Sequence, residues 1–215
     1  MSSTRRREAT VAAETASVPV TPIGIDVGEK TLVAAATASM EPADAFAVEG
    51  HDPARLFDYL ATAVGALQSA GFETDAGEAQ LTAAFWYRLR AQVLDAAART
   101  VQWVRSHSAP VLVLEDLGRR QRPLWAVRDD AEQVGAWLLP HLQSALAGRA
   151  REAGVPVAYV DPDGTSRECH RCGEHGEREK QRFWCTNPDC DVRGVDADRS
   201  AAITIASRAE VDIRD

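Results

Sequence analysis

Four cysteines lie close together near the C-terminal end of the 215-residue chain. They read Cys169-His-Arg-Cys172 and, after twelve residues, Cys185-Thr-Asn-Pro-Asp-Cys190. Each pair of cysteines can form a tight turn, called a zinc knuckle, that directs two sulfurs at one ion. Two knuckles brought together offer the four thiolates that zinc binds in a closed, structural site. His170 or His175 in place of one cysteine is an alternative ligand, and four thiols without a metal are another alternative. The spacing therefore predicts structural zinc, which would hold together a segment too polar to fold alone.

Three carboxylates occupy positions from which they can act together on metal ions. Asp26 lies inside one apolar run, Glu115 follows a second directly, and Asp198 begins a predicted helix. Carboxylates brought together repel one another unless cations lie among them, and hard oxygen ligands suit Mg²⁺ or Mn²⁺. Two such ions about 3.5–4 Å apart can activate the attacking water and stabilise the leaving oxygen in phosphodiester cleavage. The three acids therefore predict a catalytic centre.

Each acid also has a simpler interpretation. Asp26 fits a turn residue, Glu115 a charge at a strand end, and Asp198 a helix N-cap. The residues three, four and seven positions after Asp198 are small or apolar: Ala201, Ala202 and Ile205. This stripe predicts a helix that packs closely on a sheet, with Asp198 on the packed face and Asp196 off it.

The elements that must position these residues alternate between strands and helices. Strands are predicted over 20–27, 31–37, 44–48, 110–115 and 157–160, the first three as an antiparallel meander. Helices are predicted over 51–70, 78–106, 130–153 and 197–209. Pro140 is expected to kink or break the third helix. The order predicts an α/β protein with the cysteine-rich segment inserted before the last helix.

Composition and charge narrow the class of protein. Hydrophobic residues make up 45% of the chain and charged residues 26%, as in a globular protein. No apolar stretch approaches the roughly 20 residues of a membrane span. Residues 1–19 lack the apolar core of a secretory signal and are predicted to form a disordered tail, so a cytoplasmic location is the default. The net charge of −8 argues against a protein that coats nucleic acid generally.

Local arginines nevertheless offer contacts for a phosphate backbone. Arg88 and Arg99 lie eleven residues apart and share one face of the second helix; a solvated surface is the alternative. Arg171 and Arg182 contribute to a basic cysteine-rich insert. Within that insert, Phe183-Trp184 could stack on bases or form a small core.

The motifs, taken in order, resemble those of the TnpB/OrfB-type nucleases associated with transposons, which are relatives of the compact type V CRISPR effectors. The matching segments are 23–28 (IGIDVG), 111–117 (VLVLEDL), 160–173 (VDPDGTSRECHRCG) and 196–205 (DADRSAAITI). The resemblance implies an RNase H-like (RuvC) mixed sheet flanked by helices, formed by 20–165 and 196–215. It also implies an inserted four-cysteine zinc ribbon over 166–195.

By the same resemblance, the activity is metal-dependent DNA cleavage in a family long described as transposases. Asp26, Glu115 and Asp198 are the implied catalytic residues, with magnesium or manganese as their cofactor. The implied ligands of structural zinc are the four cysteines: Cys169, Cys172, Cys185 and Cys190. DNA is the expected partner, together with a guide RNA as in the family.

The sequence departs from the family pattern in two places. Family members carry a long N-terminal part that grips the guide RNA and a short DNA motif, whereas only a short segment precedes the first motif here. A partner chain is therefore a further candidate, as the source of that part. Ser200 and Thr204 stand where the third motif usually has asparagine. The alternatives to an active nuclease are a non-cleaving zinc-ribbon protein that binds nucleic acid and a truncated remnant.

Overall fold

The computed structural model describes residues 19–50, 53–70, 75–117 and 132–209. The strands in these ranges are β1 (Thr21–Val27), β2 (Thr31–Thr37), β3 (Phe46–Glu49), β4 (Pro110–Glu115), β5 (Val157–Val160), β6 (Gly176–Glu179), β7 (Arg182–Cys185) and β8 (Val195–Asp196). The helices are α1 (Pro53–Ser69), α2 (Asp75–Val104), α3 (Glu132–Glu152) and α4 (Ala197–Ser207). The predicted order of elements is confirmed. The predicted tail lies outside the described residues except for Pro19.

Five strands form one mixed sheet in the order β3-β2-β1-β4-β5. β1, β2 and β3 form the predicted antiparallel meander, while β4 and β5 continue the sheet parallel to β1. Parallel strands need a long crossover between them. The crossover from β1 to β4 contains β2, β3, α1 and α2, and α3 forms the crossover from β4 to β5.

Helices cover both faces of this sheet. On one face, α2 packs on β2 and β3, and α3 packs on β1, β4 and β5. The largest fully buried side chains there are Ile23, Ile25, Leu89, Leu112, Leu114, Leu138, Leu142 and Leu146. On the other face, α4 places Ile203 against β2 and Ile205 against β4. Because strand side chains alternate, Gly24 and Asp26 face α4. Within the described ranges, no helix is long and apolar enough to cross a membrane.

α4 lies very close to β1 because Gly24 has no side chain. A Cβ atom at this position would lie 2.1 Å from the carbonyl oxygen of Ala202 and 2.3 Å from the amide nitrogen of Ala206. The small residues of α4 allow the same approach from the helix side. The predicted packing of a small-residue stripe on a sheet is therefore confirmed.

α3 continues through Pro140, so the predicted break is wrong, while the predicted kink stays a prediction. A proline inside a helix costs about 3 kcal/mol, because it removes an amide donor and crowds the preceding turn. Leu138, Leu142 and Leu146 are fully buried on either side of it, and each such side chain contributes roughly 1.5–3 kcal/mol by its burial. Burial of this face therefore maintains the helix through the proline.

The cysteine-rich segment forms a second, antiparallel sheet in the order β6-β7-β8. Phe183 is 1% exposed and packs with Cys169 and Cys185, so the prediction of a small core is confirmed for this ring. Trp184 is half-buried. β8 leads directly into α4, so the second sheet is joined to the helix that covers the first.

Candidate active site and metal centre

Asp26 and Glu115 lie near the C-terminal ends of neighbouring strands. The parallel register pairs Ile25 with Leu114, so the residue after each, an acid in both strands, lies on the same face of the sheet. That face is covered by α4, whose first turn carries Asp198. The structure therefore brings together the three predicted acids from three different elements.

The three carboxylates are buried together. The exposed fractions of Asp26, Glu115 and Asp198 are 9%, 7% and 7%. Burial raises the pKa of Asp26 well above its usual value, and the charges of Asp198 and Glu115 raise that pKa further. A site that holds several buried acids is costly unless cations offset their charge. The arrangement therefore favours a cation-binding site.

An arginine from the second sheet pairs with this acid cluster. Nη2 of Arg178, on β6, lies 2.6 Å from Oδ1 of Asp198. Asp196 is the N-cap of α4, since its side chain accepts a hydrogen bond from the amide of Arg199. The alternative interpretation of Asp198 as the N-cap is therefore wrong. The role of Arg178 was not predicted, because no motif connects it to an acid twenty residues away.

Glu115 is held from two further elements. The hydroxyl of Thr165, in the loop after β5, donates a hydrogen bond to Oε1 of Glu115. Nε2 of Gln143, on α3, donates to the carbonyl oxygen of Glu115 over 3.0 Å. Burial raises the pKa of Glu115, while the Thr165 hydrogen bond and the charge of Arg208 lower it. These supporting residues were not predicted, since 28 and 50 residues separate Gln143 and Thr165 from Glu115.

The donor set at the acid cluster suits hard divalent ions. Three carboxylates offer only oxygen ligands, which Mg²⁺ and Mn²⁺ prefer. Among the described residues, the four cysteines are the only group of three or more possible ligands whose donor atoms all lie within 4.8 Å of one another. Carboxylates around two ions can be farther apart, because ions about 4 Å apart with bonds of about 2.1 Å span about 8 Å.

The four cysteines match the geometry of a tetrahedral metal site. The Sγ atoms of Cys169 and Cys190 lie 3.7 Å apart, and those of Cys172 and Cys185 lie 3.5 Å apart. Zinc–sulfur bonds of about 2.3 Å at the tetrahedral angle place sulfurs about 3.8 Å apart. These sulfurs are also too far apart for a disulfide, whose bond length is about 2.05 Å. The cluster can therefore bind a metal such as zinc.

The local backbone prepares the thiols for this role. Gly173 has a φ of +76°, which turns the chain after the first knuckle at little cost. A hydrogen bond from the amide of Glu174 lowers the pKa of Cys172 to about 7, whereas burial raises the pKa of Cys185 to about 12. Nδ1 of His170 lies 2.8 Å from Oγ of Ser200. Among the described residues, the group of donor atoms within 4.8 Å of one another contains the four cysteines and neither His170 nor His175, so neither histidine replaces a cysteine.

Ion pairs connect the cysteine-rich segment to the β2–β3 connection and to the end of α4. Arg171 pairs with Glu41 in the β2–β3 connection over 2.7 Å and with Asp191 over 2.8 Å. Arg208, which follows α4, pairs with Glu168. The Arg171–Glu41 and Arg208–Glu168 pairs connect the cysteine-rich segment to the β2–β3 connection and to the residue after α4, whereas the Arg171–Asp191 pair lies within the segment.

The four arginines predicted to bind nucleic acid lie in two different settings. Arg88 and Arg99 are exposed on α2, and Arg99 lies 3.7 Å from Asp95. Arg171 is engaged by two carboxylates, and Arg182 donates to the carbonyl oxygen of Gly194 over 2.7 Å. Their contact with nucleic acid stays a prediction.

Comparisons with known proteins find several that this chain is similar to. Residues 141–205 match the family described as Cas12f1-like, TNB domain. The CRISPR-associated endodeoxyribonuclease Cas12f2 of a Micrarchaeota archaeon is 38% identical over 79 residues, which cover 34% of this chain and 14% of that protein. The structure of a Cas12f1–sgRNA–target DNA complex has a TM-score of 0.61 at 15% identity, over 86% of this chain and 49% of that chain. A CRISPR-Cas12f ternary complex has a TM-score of 0.61 at 17% identity, over 87% and 39%.

The matched region contains all four cysteines and Asp198. This chain spans less than half the length of each of these relatives. At identities of 15% and 17%, the structural likeness shows the fold alone. Together, the comparisons support a relationship with nucleases of the TnpB and Cas12 type.

Proposed function

We propose that this chain is a metal-dependent DNA endonuclease domain of the TnpB type. The observation that carries the proposal is the convergence of three buried acids, from β1, β4 and α4, at one place on the sheet. The proposed nuclease domain is RNase H-like (RuvC) and comprises 20–165 and 196–215, with a zinc ribbon over 166–195. The likeness to Cas12f1 in fold and to an endodeoxyribonuclease in sequence supports this assignment.

In the proposed mechanism, Asp26, Glu115 and Asp198 bind magnesium or manganese through their carboxylate oxygens. When bound, the ions supply the activated water and the stabilisation of the leaving oxygen in phosphodiester cleavage. Thr165 keeps the Glu115 carboxylate oriented. Arg178 carries a guanidinium at the rim of the cluster, where it can donate to a phosphate oxygen and offset charge that develops during the reaction.

The zinc ribbon has a structural role in this proposal. All four cysteines are used by one closed site, which leaves no position for water on the metal. The ribbon presents Arg178 to the acids and is fixed to the sheet by ion pairs. Zinc therefore contributes to catalysis only through the position of ribbon residues.

A nicking assay tests the proposed activity. Zinc-loaded wild-type protein is incubated with plasmid DNA and Mg²⁺ or Mn²⁺, in parallel with Asp26→Ala. We expect nicking that needs the divalent ion and falls at least about 100-fold in the variant, because a metal ligand is lost. Asp44→Asn is the matched control, since it removes an exposed carboxylate in the β2–β3 connection that forms an ion pair with none of the arginines predicted to bind nucleic acid. Equal nicking by the wild type and Asp26→Ala would show that the acids do not catalyse the reaction.

DNA is the proposed substrate, and a guide RNA is a proposed partner. Support for both comes from Cas12f1, whose structure contains sgRNA and target DNA. A partner chain remains a further proposed source of recognition. Binding to DNA and RNA over a series of salt concentrations separates the alternatives, because phosphate contacts make affinity fall as salt rises. Salt-dependent binding without nicking would favour the non-cleaving protein, and neither activity would favour the remnant.

A further inference from the structure

The loop between β5 and the first zinc ligand contains a buried hydroxyl beside a catalytic candidate. Thr165 is 2% exposed, and its Oγ1 has two acceptors within reach. One is Oε1 of Glu115, and the other is the carbonyl oxygen of Pro162 at 3.1 Å. A hydroxyl carries a single proton, and a carboxylate is the stronger acceptor of the two. The ionised carboxylate of Glu115 therefore accepts the hydrogen bond that this hydroxyl donates.

The loop that carries Thr165 is fastened to α4 by one side chain. Nη1 of Arg208 donates to the carbonyl oxygens of Asp161 and Asp163, over 3.0 and 2.7 Å. Nε of the same guanidinium donates to the carboxylate of Glu168 over 3.0 Å. These bonds lie on both sides of Thr165 in the sequence. The hydroxyl is therefore presented to Glu115 from a loop with little freedom to move.

The turn itself has a backbone that favours this presentation. Gly164 has a φ of +79°, a conformation that side chains other than glycine rarely adopt. The amides of Arg167 and Glu168 both donate to its carbonyl oxygen, over 2.8 and 2.9 Å. Cys169 follows immediately, so the same loop ends at a proposed zinc ligand.

We propose that Thr165 is a positioning residue for Glu115, which fixes one carboxylate oxygen by a hydrogen bond and leaves the other directed for a divalent ion. The inference rests on the proposed function, because it takes the acid cluster as a binding site for divalent ions. Groups that orient metal ligands contribute about 10- to 100-fold to metal affinity. Thr165 thereby couples the entry of the ribbon to the affinity of the acid cluster for its ions.

Binding of Mn²⁺ to the zinc-loaded full chain tests this proposal without any substrate. Electron paramagnetic resonance measures free Mn²⁺ in titrations of the wild type and Thr165→Val, which keeps the shape of threonine and removes the hydroxyl. We expect the valine variant to bind Mn²⁺ about 10- to 100-fold more weakly. Thr165→Ser keeps the hydroxyl and is expected to restore affinity to within about threefold of the wild type.

The control separates a local effect from a general loss of packing. Thr100 is also fully buried, but its hydroxyl bonds only within α2, to the carbonyl oxygen of Ala96 over 2.7 Å. Thr100→Val is therefore expected to bind Mn²⁺ as the wild type does. If Thr165→Val does not fold, Thr165→Ala replaces it in the comparison with Thr165→Ser.

Glu115→Gln distinguishes failure of this inference from failure of the proposed function. If Glu115→Gln loses Mn²⁺ binding while Thr165→Val keeps wild-type affinity, the positioning role is wrong and the metal site stands. If the wild type itself binds no Mn²⁺, or Glu115→Gln binds as well as the wild type, the proposed function fails and this inference fails with it. Weak binding by Thr165→Ser equal to that of Thr165→Val would also overturn the inference, because the hydroxyl would not be the cause.

Discussion

Asp26 is buried near two other carboxylates, and its protonation therefore affects the stability of the folded chain. Its pKa is raised by burial and by the charges of Asp198 and Glu115. The folded chain thus keeps the proton at pH values where the unfolded chain has lost it. By linkage, the free energy of unfolding of the magnesium-free protein falls as the pH rises from the usual carboxyl range through the raised pKa.

Replacement of Asp26 by asparagine is expected to remove the part of that fall that Asp26 contributes, while Glu115, whose pKa is also raised, keeps its own part. In zinc-loaded, magnesium-free protein at pH 7, Asp26→Asn should raise the free energy of unfolding by roughly 1–3 kcal/mol, because asparagine carries no carboxyl group whose ionisation the fold opposes. Urea denaturation at several pH values from 5 to 8 measures the effect. Asp95→Asn, at an exposed position on α2, should change stability by about 0.5 kcal/mol or less. A variant less stable than the wild type at pH 7 would contradict the interpretation of the acid cluster.

At the scale of elements, the contact between β1 and α4 is the one that brings Asp26 and Asp198 together. Gly24→Ala would place a Cβ atom 2.1 Å from a backbone oxygen of α4, so the helix must move. We expect a loss of roughly 3 kcal/mol or more in the free energy of unfolding, as for severe overpacking. Chemical denaturation of the variant measures this loss.

The matched control for that substitution is Gly148→Ala in α3. A Cβ atom at Gly148 would meet nothing within 4 Å, and alanine favours a helix interior over glycine by roughly 0.5–1 kcal/mol. The same glycine-to-alanine change is therefore expected to stabilise the protein at one position and destabilise it at the other. If Gly24→Ala is tolerated as well as Gly148→Ala, α4 does not pack on β1 as described.

The proposed zinc ribbon is expected to need its metal to stay folded, whereas the five-stranded sheet is expected to stay folded without it. Removal of zinc by a chelator should expose the backbone amides of β6, β7 and β8, because the small core around Phe183 is too limited to fold alone. Hydrogen exchange measured by mass spectrometry reports each sheet separately. Protection should be lost over 166–195 and kept in β1, β2 and β4. Unchanged protection over 166–195 after zinc removal would contradict a structural metal.

At the scale of the whole molecule, the features that could be predicted are those that depend on residues close together in the sequence. Alternation and apolar runs predicted the five strands of the sheet, and residue spacing predicted the cysteine cluster. The pairing of Arg178 with Asp198 and of Thr165 with Glu115 could not be predicted, because it depends on which loops meet after folding. Pro140 misled the prediction for the opposite reason: its local cost is outweighed by burial of α3 against the sheet.

The two ends of the ribbon are placed beside two of the acids. Cys169, the first proposed zinc ligand, lies four residues after Thr165, whose hydroxyl contacts Glu115, and β8 ends at Asp196, two residues before Asp198. Both connections between the ribbon and the acids are therefore short. A displacement of the ribbon, such as a nucleic-acid strand bound to its outer surface would cause, would also shift the carboxylates. Excision of the ribbon would consequently disturb the acid cluster as well, whereas substitution of an exposed residue such as Glu177 on β6 leaves both connections in place.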